Sequence, residues 1–395
     1  MNLALDQSFS SPVDPHLFEG VVEMLETGVR EGVFPGAVLL VGKDGNEIFR
    51  AVVGKRSLKL QGEQESAPME INTVFDIASL TAVLTTATIY MRILELKMVA
   101  LEDRVSRYVQ GFSVFGKSEI TLADLMLHCS GLAHWMPYYE EILRQHAGGR
   151  IGMMASRGAR DYIINSITRA QLKYSVRSRQ QYSDLGLILL GHIIEVITGM
   201  SLERAAQHYV FQPLGLRNTS FIDLSMMKRR GIQPVTDLIA PTEECSWRKR
   251  VLCGEVHDDN AWAMGGIAGH SGVFSTGPDL HQFSAEMIRC YRGQSEFLKS
   301  DTLRTFWHAH LPSPTETFQL FWDTPGKHNN MSDSTFSPYA VGQNGFSGCS
   351  IWIEPHQGFD IVLMTNRIHP SRSNRKIRTY RPKLHDAVLG VLRDL

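Results

Sequence analysis

The chain has 395 residues, enough for two domains or one large one, and its 43% hydrophobic content supplies a sizeable core. Lysines and arginines (40) nearly balance aspartates and glutamates (41), leaving a formal net charge of −1 that argues against nucleic acid or an anionic membrane as partner. The five cysteines are scattered, without paired metal-ligand spacing, and read as reduced thiols of a cytoplasmic protein rather than a disulfide framework. From Met1 to Gln7 there is no basic or apolar leader pattern, and the apolar run Ile77 to Met91 falls short of the roughly 20 residues a membrane span needs.

In chain order, Phe18, Val21, Val22, Leu25 and Val29 recur at helical spacing, and Gly32 ends that helix. Two β-prone runs, 36–41 and 48–53, flank Asp44-Gly45 and predict a hairpin. A buried helix follows Ser79 to about Lys97, and Leu101 to Val105 begins another short element. Thr121 suits the N-cap of a short helix over 122–128, and a largely buried helix runs from Tyr182-Ser183-Asp184 to Gly199. Near the C-terminus, 349–354 and 359–365 read as strands before a terminal amphipathic helix, with the basic run Lys376 to Lys383 read as a solvated face.

Chemistry concentrates in separated segments. Ser79-Leu80-Thr81-Ala82 places a serine at the head of a buried helix, where the helix N-terminus favours developing negative charge. Tyr182-Ser183-Asp184 pairs a phenol with a carboxylate; taken alone, a core tyrosine and a helix N-cap explain it. Gln343-Asn344-Gly345-Phe346 precedes a C-terminal strand, with a glycine that allows close backbone approach. His257-Asp258-Asp259 and His270 are imidazoles and carboxylates that suit a substrate-facing loop or, as an alternative, a divalent metal, although Asp258 and Asp259 on a strand would point apart. Trp135, Tyr138 and Tyr139 offer an aromatic wall, and Arg367 and His369 follow the last strand, where Arg367 contacts an anionic group or pairs with a surface carboxylate.

Together these segments resemble the serine β-lactamase and penicillin-binding-protein superfamily, in its branch of class C-like esterases and D-amino-acid peptidases. The resemblance implies an α+β, β-lactamase/transpeptidase-like fold: a sheet domain from residues 1–75 and 255–395, a mainly helical domain from 76–254, and a cleft between them. It implies Ser79 as nucleophile, Tyr182 as proton relay, Asp184 as substrate and lysine partner, and the Phe346 N–H joining that of Ser79 in an oxyanion hole. His128-Cys129-Ser130-Gly131 resembles the turn that shapes one cleft wall. No cofactor or metal is implied.

The family's general-base lysine belongs at Ala82, and an unassisted serine is a weak nucleophile. Loss of that one residue from an intact local motif reads as a deliberate Lys→Ala change that stops turnover. Gln343 replaces the family's cation in the third segment and favours a substrate met by amide hydrogen bonds over a carboxylate. The expected activity is acyl-enzyme hydrolysis of an ester or amide in a cell-wall fragment or D-amino-acid compound. Two alternatives stand beside it: a natural pseudoenzyme that binds such fragments, and an acid–base enzyme that cleaves the lactyl ether of muropeptide sugars. Oligomeric state is not legible.

Overall fold

A computed structural model describes residues 11–58, 67–146, 154–308, 318–325 and 336–395; the N-terminal stretch Met1 to Gln7 lies outside them. Helix α1 (Glu19–Arg30) leads into β1 (Gly36–Lys43) and β2 (Asn46–Gly54). Asp44 and Gly45 both take positive φ, 51° and 81°, as the expected two-residue turn demands. After the helical middle, which includes α2 (Thr88–Glu95) and α3 (Asp184–Thr198), the chain forms α4 (Gly277–Tyr291), β3 (Val341–Asn344), β4 (Ser350–Glu354), β5 (Phe359–Thr365) and α5 (Ile377–Asp394).

The strands build one antiparallel sheet in the order β2-β1-β5-β4-β3. Its centre pairs the two ends of the chain, Ala37 with Thr365 through Lys43 with Phe359. Alternation along β1 divides the core between two faces. Ala37, Leu39 and Val41 face an apolar cluster with Val22 and Leu25 of α1 and Leu384 and Val388 of α5. Val38 and Leu40 face the opposite way, joining Leu280 and Met287 of α4 in a cluster that continues through Leu187, Leu190 and Ile194 of α3. The sheet and the helical middle thus share one continuous core. This is the α+β, β-lactamase/transpeptidase-like fold that the resemblance implied.

The helical middle is fastened at a close backbone crossing. A Cβ on Gly269 would lie 2.2 Å from the Leu187 carbonyl, and one on Gly191 would lie 2.8 Å from the Gly269 nitrogen, so only glycines let this loop lie against α3. No single helix among the described residues is long and apolar enough to cross a membrane. The five cysteines are free thiols, four of them buried.

Candidate active site

Residues Phe75–Asp76 pair with Val273–Ser275, and the chain then turns sharply into the nucleophile helix. Ala78 takes φ +48°, a conformation costly for a residue with a Cβ. Asp76 holds it there: one carboxylate oxygen accepts from the Ala78 N–H at 2.8 Å and the other from the His257 N–H at 2.7 Å. Burial raises the Asp76 pKa, outweighing those two amides. One buried carboxylate therefore ties the serine turn to the 255–258 segment.

Through the turn, N–H groups bond three residues back: Leu80 to Ile77, Thr81 to Ala78 and Ala82 to Ser79, at 3.0–3.1 Å. In such a 3₁₀ arrangement side chains three apart eclipse, so Ala82 shares a face with Ser79. The helix then widens into a π turn over Ala82–Ala87 before α2. Ala82 is buried among apolar neighbours, while Ala78 and Ser79 line the cleft.

Tyr182 and Asp184 line the same cleft, which has a volume of about 510 Å³. The Tyr182 hydroxyl is buried without a partner at hydrogen-bond geometry. Burial and then Asp184 push its pKa well up; Ser79, close by, pulls the other way. Tyr182 therefore stays protonated at neutral pH. Its ring rests against His128, 4.7 Å between centroids, whose pKa burial drives down to about 3, so a neutral imidazole backs the Tyr182 ring. The cap of α3 is Ser183, whose hydroxyl accepts from Gly186 N–H, so the N-cap explanation of Asp184 fails and its carboxylate is left to the cleft. Burial raises the Asp184 pKa and Asp258 adds to this, while His270, His134 and the Tyr182 hydroxyl oppose it.

Opposite Ser79, β3 ends in Gln343 and Asn344, and Gly345-Phe346-Ser347-Gly348 turns the chain into β4. Arg367 Nε donates to the Phe346 carbonyl at 2.9 Å and Nη2 donates to it at 2.5 Å. That clamp holds the turn at the peptide that follows Phe346. Neither the Ser79 nor the Phe346 N–H makes a hydrogen bond within the described residues, so both donors that the resemblance implies for an oxyanion hole are unused. Each such donor is worth about 3 kcal/mol in a transition state. Arg367 is nearly buried and bonds only carbonyls, with no surface carboxylate, contrary to the surface-pair alternative. His369 is buried too, with Nδ1 on the Thr242 carbonyl.

In the 255–270 region the two adjacent aspartates lie at the head of a short helix rather than on a strand. Asp258 caps a short helix, Asp259–Ala263, through the Ala261 N–H, and Asp259 opens it. Asp259 takes Arg248 at 2.8 Å, Arg372 at 3.1 Å and the Trp247 indole at 3.1 Å. Arg248, almost wholly buried, also donates to the Val256 and His257 carbonyls and lies 4.9 Å from the rings of Trp247 and Trp262. His257 pairs with Glu243 at 3.1 Å and stacks on Phe346 at 5.6 Å. His270 Nε2 meets Asp258 at 3.0 Å. Burial alone would raise the Asp258 carboxyl, but His270 and the Ala261 amide bring it down to about 2.

The basic run is only partly a solvated face. Arg381 is buried, with Nη1 on the Gly348 and Cys349 carbonyls and Nε unpartnered, and Arg378 lines the cleft with Arg367 and Arg372. Arginines of the C-terminal segment thus line the cleft that Gln343 also faces. Gln343 itself is buried, with Oε1 unpartnered in the cleft wall. Tyr139 stands outside the cleft, stacked on Trp247 at 5.2 Å, and its aromatic neighbour Trp135 lines it instead.

Asp323 also lines the cleft, and sequence reasoning missed it. Burial pushes its carboxyl up to about 7 despite Arg381 nearby. A carboxyl raised in the folded state supports the fold below its unfolded pKa and loses that support as pH rises through the folded value. Urea unfolding is therefore expected to show the parent chain losing stability relative to Asp323→Asn from about pH 4 to about pH 7. A difference that does not vary with pH would rule this out.

A serine at a helix head, a phenol and carboxylate beside it, and paired N–H donors across a cleft define a serine hydrolase of the penicillin-recognising fold. The chain belongs to the beta-lactamase family, whose sequence profile matches residues 21–385. It is 31% identical over 376 residues, 88% of this chain and 80% of the relative, to N-acetylmuramyl-L-alanine amidase of Bacillus subtilis (strain 168). Among solved structures it resembles EstCE1, a hydrolase with promiscuous acyltransferase activity, with TM-score 0.71 at 21% identity, covering 95% of this chain and 98% of that one. Unliganded simvastatin synthase (LovD) of Aspergillus terreus gives TM-score 0.68 at 17% identity, covering 96% and 98%. At these identities the two structures speak for the fold.

Proposed function

We propose that this chain is an acyl-transfer hydrolase for peptidoglycan-derived amides, with Ser79 as nucleophile and with turnover restrained by the Lys→Ala difference at position 82. The observation that carries this reading is the convergence of Ser79, Tyr182, Asp184 and the Phe346 N–H on one cleft walled by arginines. Ser79 Oγ attacks the amide carbonyl, the oxyanion is received by the Ser79 and Phe346 N–H groups, and the amine leaves with a proton delivered from the Tyr182 side. Water then frees the acyl group. Arginines at the rim suit the carboxylates of a peptide stem. The amidase relative supports the bond between the muramyl lactyl carbonyl and L-alanine as the one presented to Ser79.

The test is mass analysis of muropeptides incubated with the parent chain and with Ala82→Lys. Release of intact peptide stem from the sugar, faster with the lysine variant, is expected. Release of D-alanine instead would move the reading to a carboxypeptidase, and loss of lactyl-peptide as a unit would move it to ether cleavage.

A further inference from the structure

The loop that carries His270 is fastened to the nucleophile helix on both sides of Ala82. Ahead of the histidine, the Gly269 carbonyl accepts from the Thr86 hydroxyl at 2.7 Å. After it, the Val273 N–H donates to the Thr81 hydroxyl at 3.2 Å, and the Val273 carbonyl accepts from the Ile77 N–H at 3.1 Å. The Gly191–Gly269 crossing holds the same loop against α3, the helix that Asp184 opens. His270 is thus placed where the nucleophile helix, α3 and the Asp258 cap meet. It is buried, with Nε2 on Asp258 and Nδ1 without a hydrogen-bond partner. The nucleophile helix presents no titratable side chain from Ala82 to Ala87.

We propose that the Asp258–His270 pair substitutes for the amine missing at Ala82, supplying the positive charge beside Asp184 so that this carboxylate, through the Tyr182 hydroxyl, takes the proton of Ser79. The inference rests on the reading of Ser79 as nucleophile. His270 is a positioning residue, acting on the serine through Asp184 and Tyr182. In the acylation step the Ser79 proton passes to Tyr182 Oη as the Tyr182 proton passes to Asp184, and the Ser79 Oγ–carbon bond forms while the carbonyl π pair moves to oxygen. Collapse of that oxyanion breaks the carbon–nitrogen bond, and the amine takes the proton back along the same path. No other reactant is required.

The charges around His270 agree with the geometry. Burial opposes its protonation, but Asp258 in contact and Asp184 beyond it raise its pKa above the ordinary value. Asp184 in turn faces His134, Asp258 and Tyr182 as well as His270. The imidazolium is present below the raised His270 pKa and lost above it, whereas Asp184 must be ionised to accept a proton. The relay therefore requires both the imidazolium and an ionised Asp184.

The experiment measures the rate of fluorophosphonate attachment to Ser79, by peptide mass mapping, from pH 5 to 9 in the parent chain, H270Q, A82K and A82K/H270Q. The parent is expected to label slowly, with a rate that falls at alkaline pH. H270Q should label at least about tenfold more slowly and lose that alkaline fall, whereas in the A82K background the same change should matter by less than about threefold. Equal rates and equal pH profiles for parent and H270Q overturn the inference. So does a parent chain that never labels while A82K does, and in that case Ser79 remains the nucleophile. If neither parent nor A82K labels, the nucleophile reading itself fails. Should H270Q melt out by circular dichroism, D258N carries the test: the alkaline fall must move to lower pH, and an unmoved profile overturns the proposal.

Discussion

Ala82→Lys is expected to raise the rate of Ser79 labelling by a fluorophosphonate at least about a hundredfold at neutral pH, the scale on which a positioned general base contributes. The geometry for this gain is already present. The Ala82 N–H bonds to the Ser79 carbonyl at 3.0 Å, so the two side chains share a face and a lysine stem can run along the helix toward the serine. The Tyr182 hydroxyl is buried beside Ser79 and Asp184 with no partner at full hydrogen-bond geometry, so an ammonium there would give it one. A cation there would also lower the Tyr182 pKa, which burial and Asp184 now hold high. β-Lactam probes should behave likewise. A lysine variant that folds and is labelled by neither probe would count decisively against Ser79 as nucleophile.

The second large effect is on stability. Arg248→Met should cost about 3–5 kcal/mol, because removing one partner of a buried ionic network leaves the other charge uncompensated. Arg248 is the shared partner of Asp259 and of the Val256 and His257 carbonyls, with its guanidinium set between Trp247 and Trp262. Methionine fills part of the volume but offers no donor. Asp259 would keep only Arg372 and the Trp247 indole. The same substitution should loosen the segment that presents His257 and Asp258 to the cleft. Urea unfolding reads the cost directly; a change below about 1 kcal/mol would show the network to be solvated rather than buried.

Much of the site was legible because its residues sit in local patterns. The Asp44-Gly45 turn, the capping threonine at Thr121, whose hydroxyl accepts from Asp124, and the terminal strands follow from neighbouring residues alone. Ser79, Tyr182, Asp184 and Phe346 stood out as short motifs, and the fold brings all four to one cleft. What stayed hidden depends on partners far away in sequence. Asp76 reads as a strand residue until His257 is found on it. Asp323 carries no motif, and its environment comes from burial. Arg378 and Arg381 lie in a run whose charge density resembles any solvated helix face, yet both line the cleft, and Arg381 is buried on the Gly348 and Cys349 carbonyls. Tyr139 erred in the other direction: an aromatic beside a motif, it packs on Trp247 instead.

The central pairing of β1 with β5 also bears on how the protein is made. Lys43 finds its partner at Phe359 and Ala37 at Thr365, so the middle of the sheet is completed only by β5, the last strand among the described residues. The turn that carries Phe346 is clamped at its carbonyl by Arg367, which follows that strand. A ribosome that has released most of the chain has therefore produced Ser79 and its helix but no site to receive an oxyanion. Contacts this distant in sequence are slow to form and leave β1 with an open edge meanwhile. Closure of the sheet and completion of the Phe346 turn thus wait on the same late segment, β5 and Arg367.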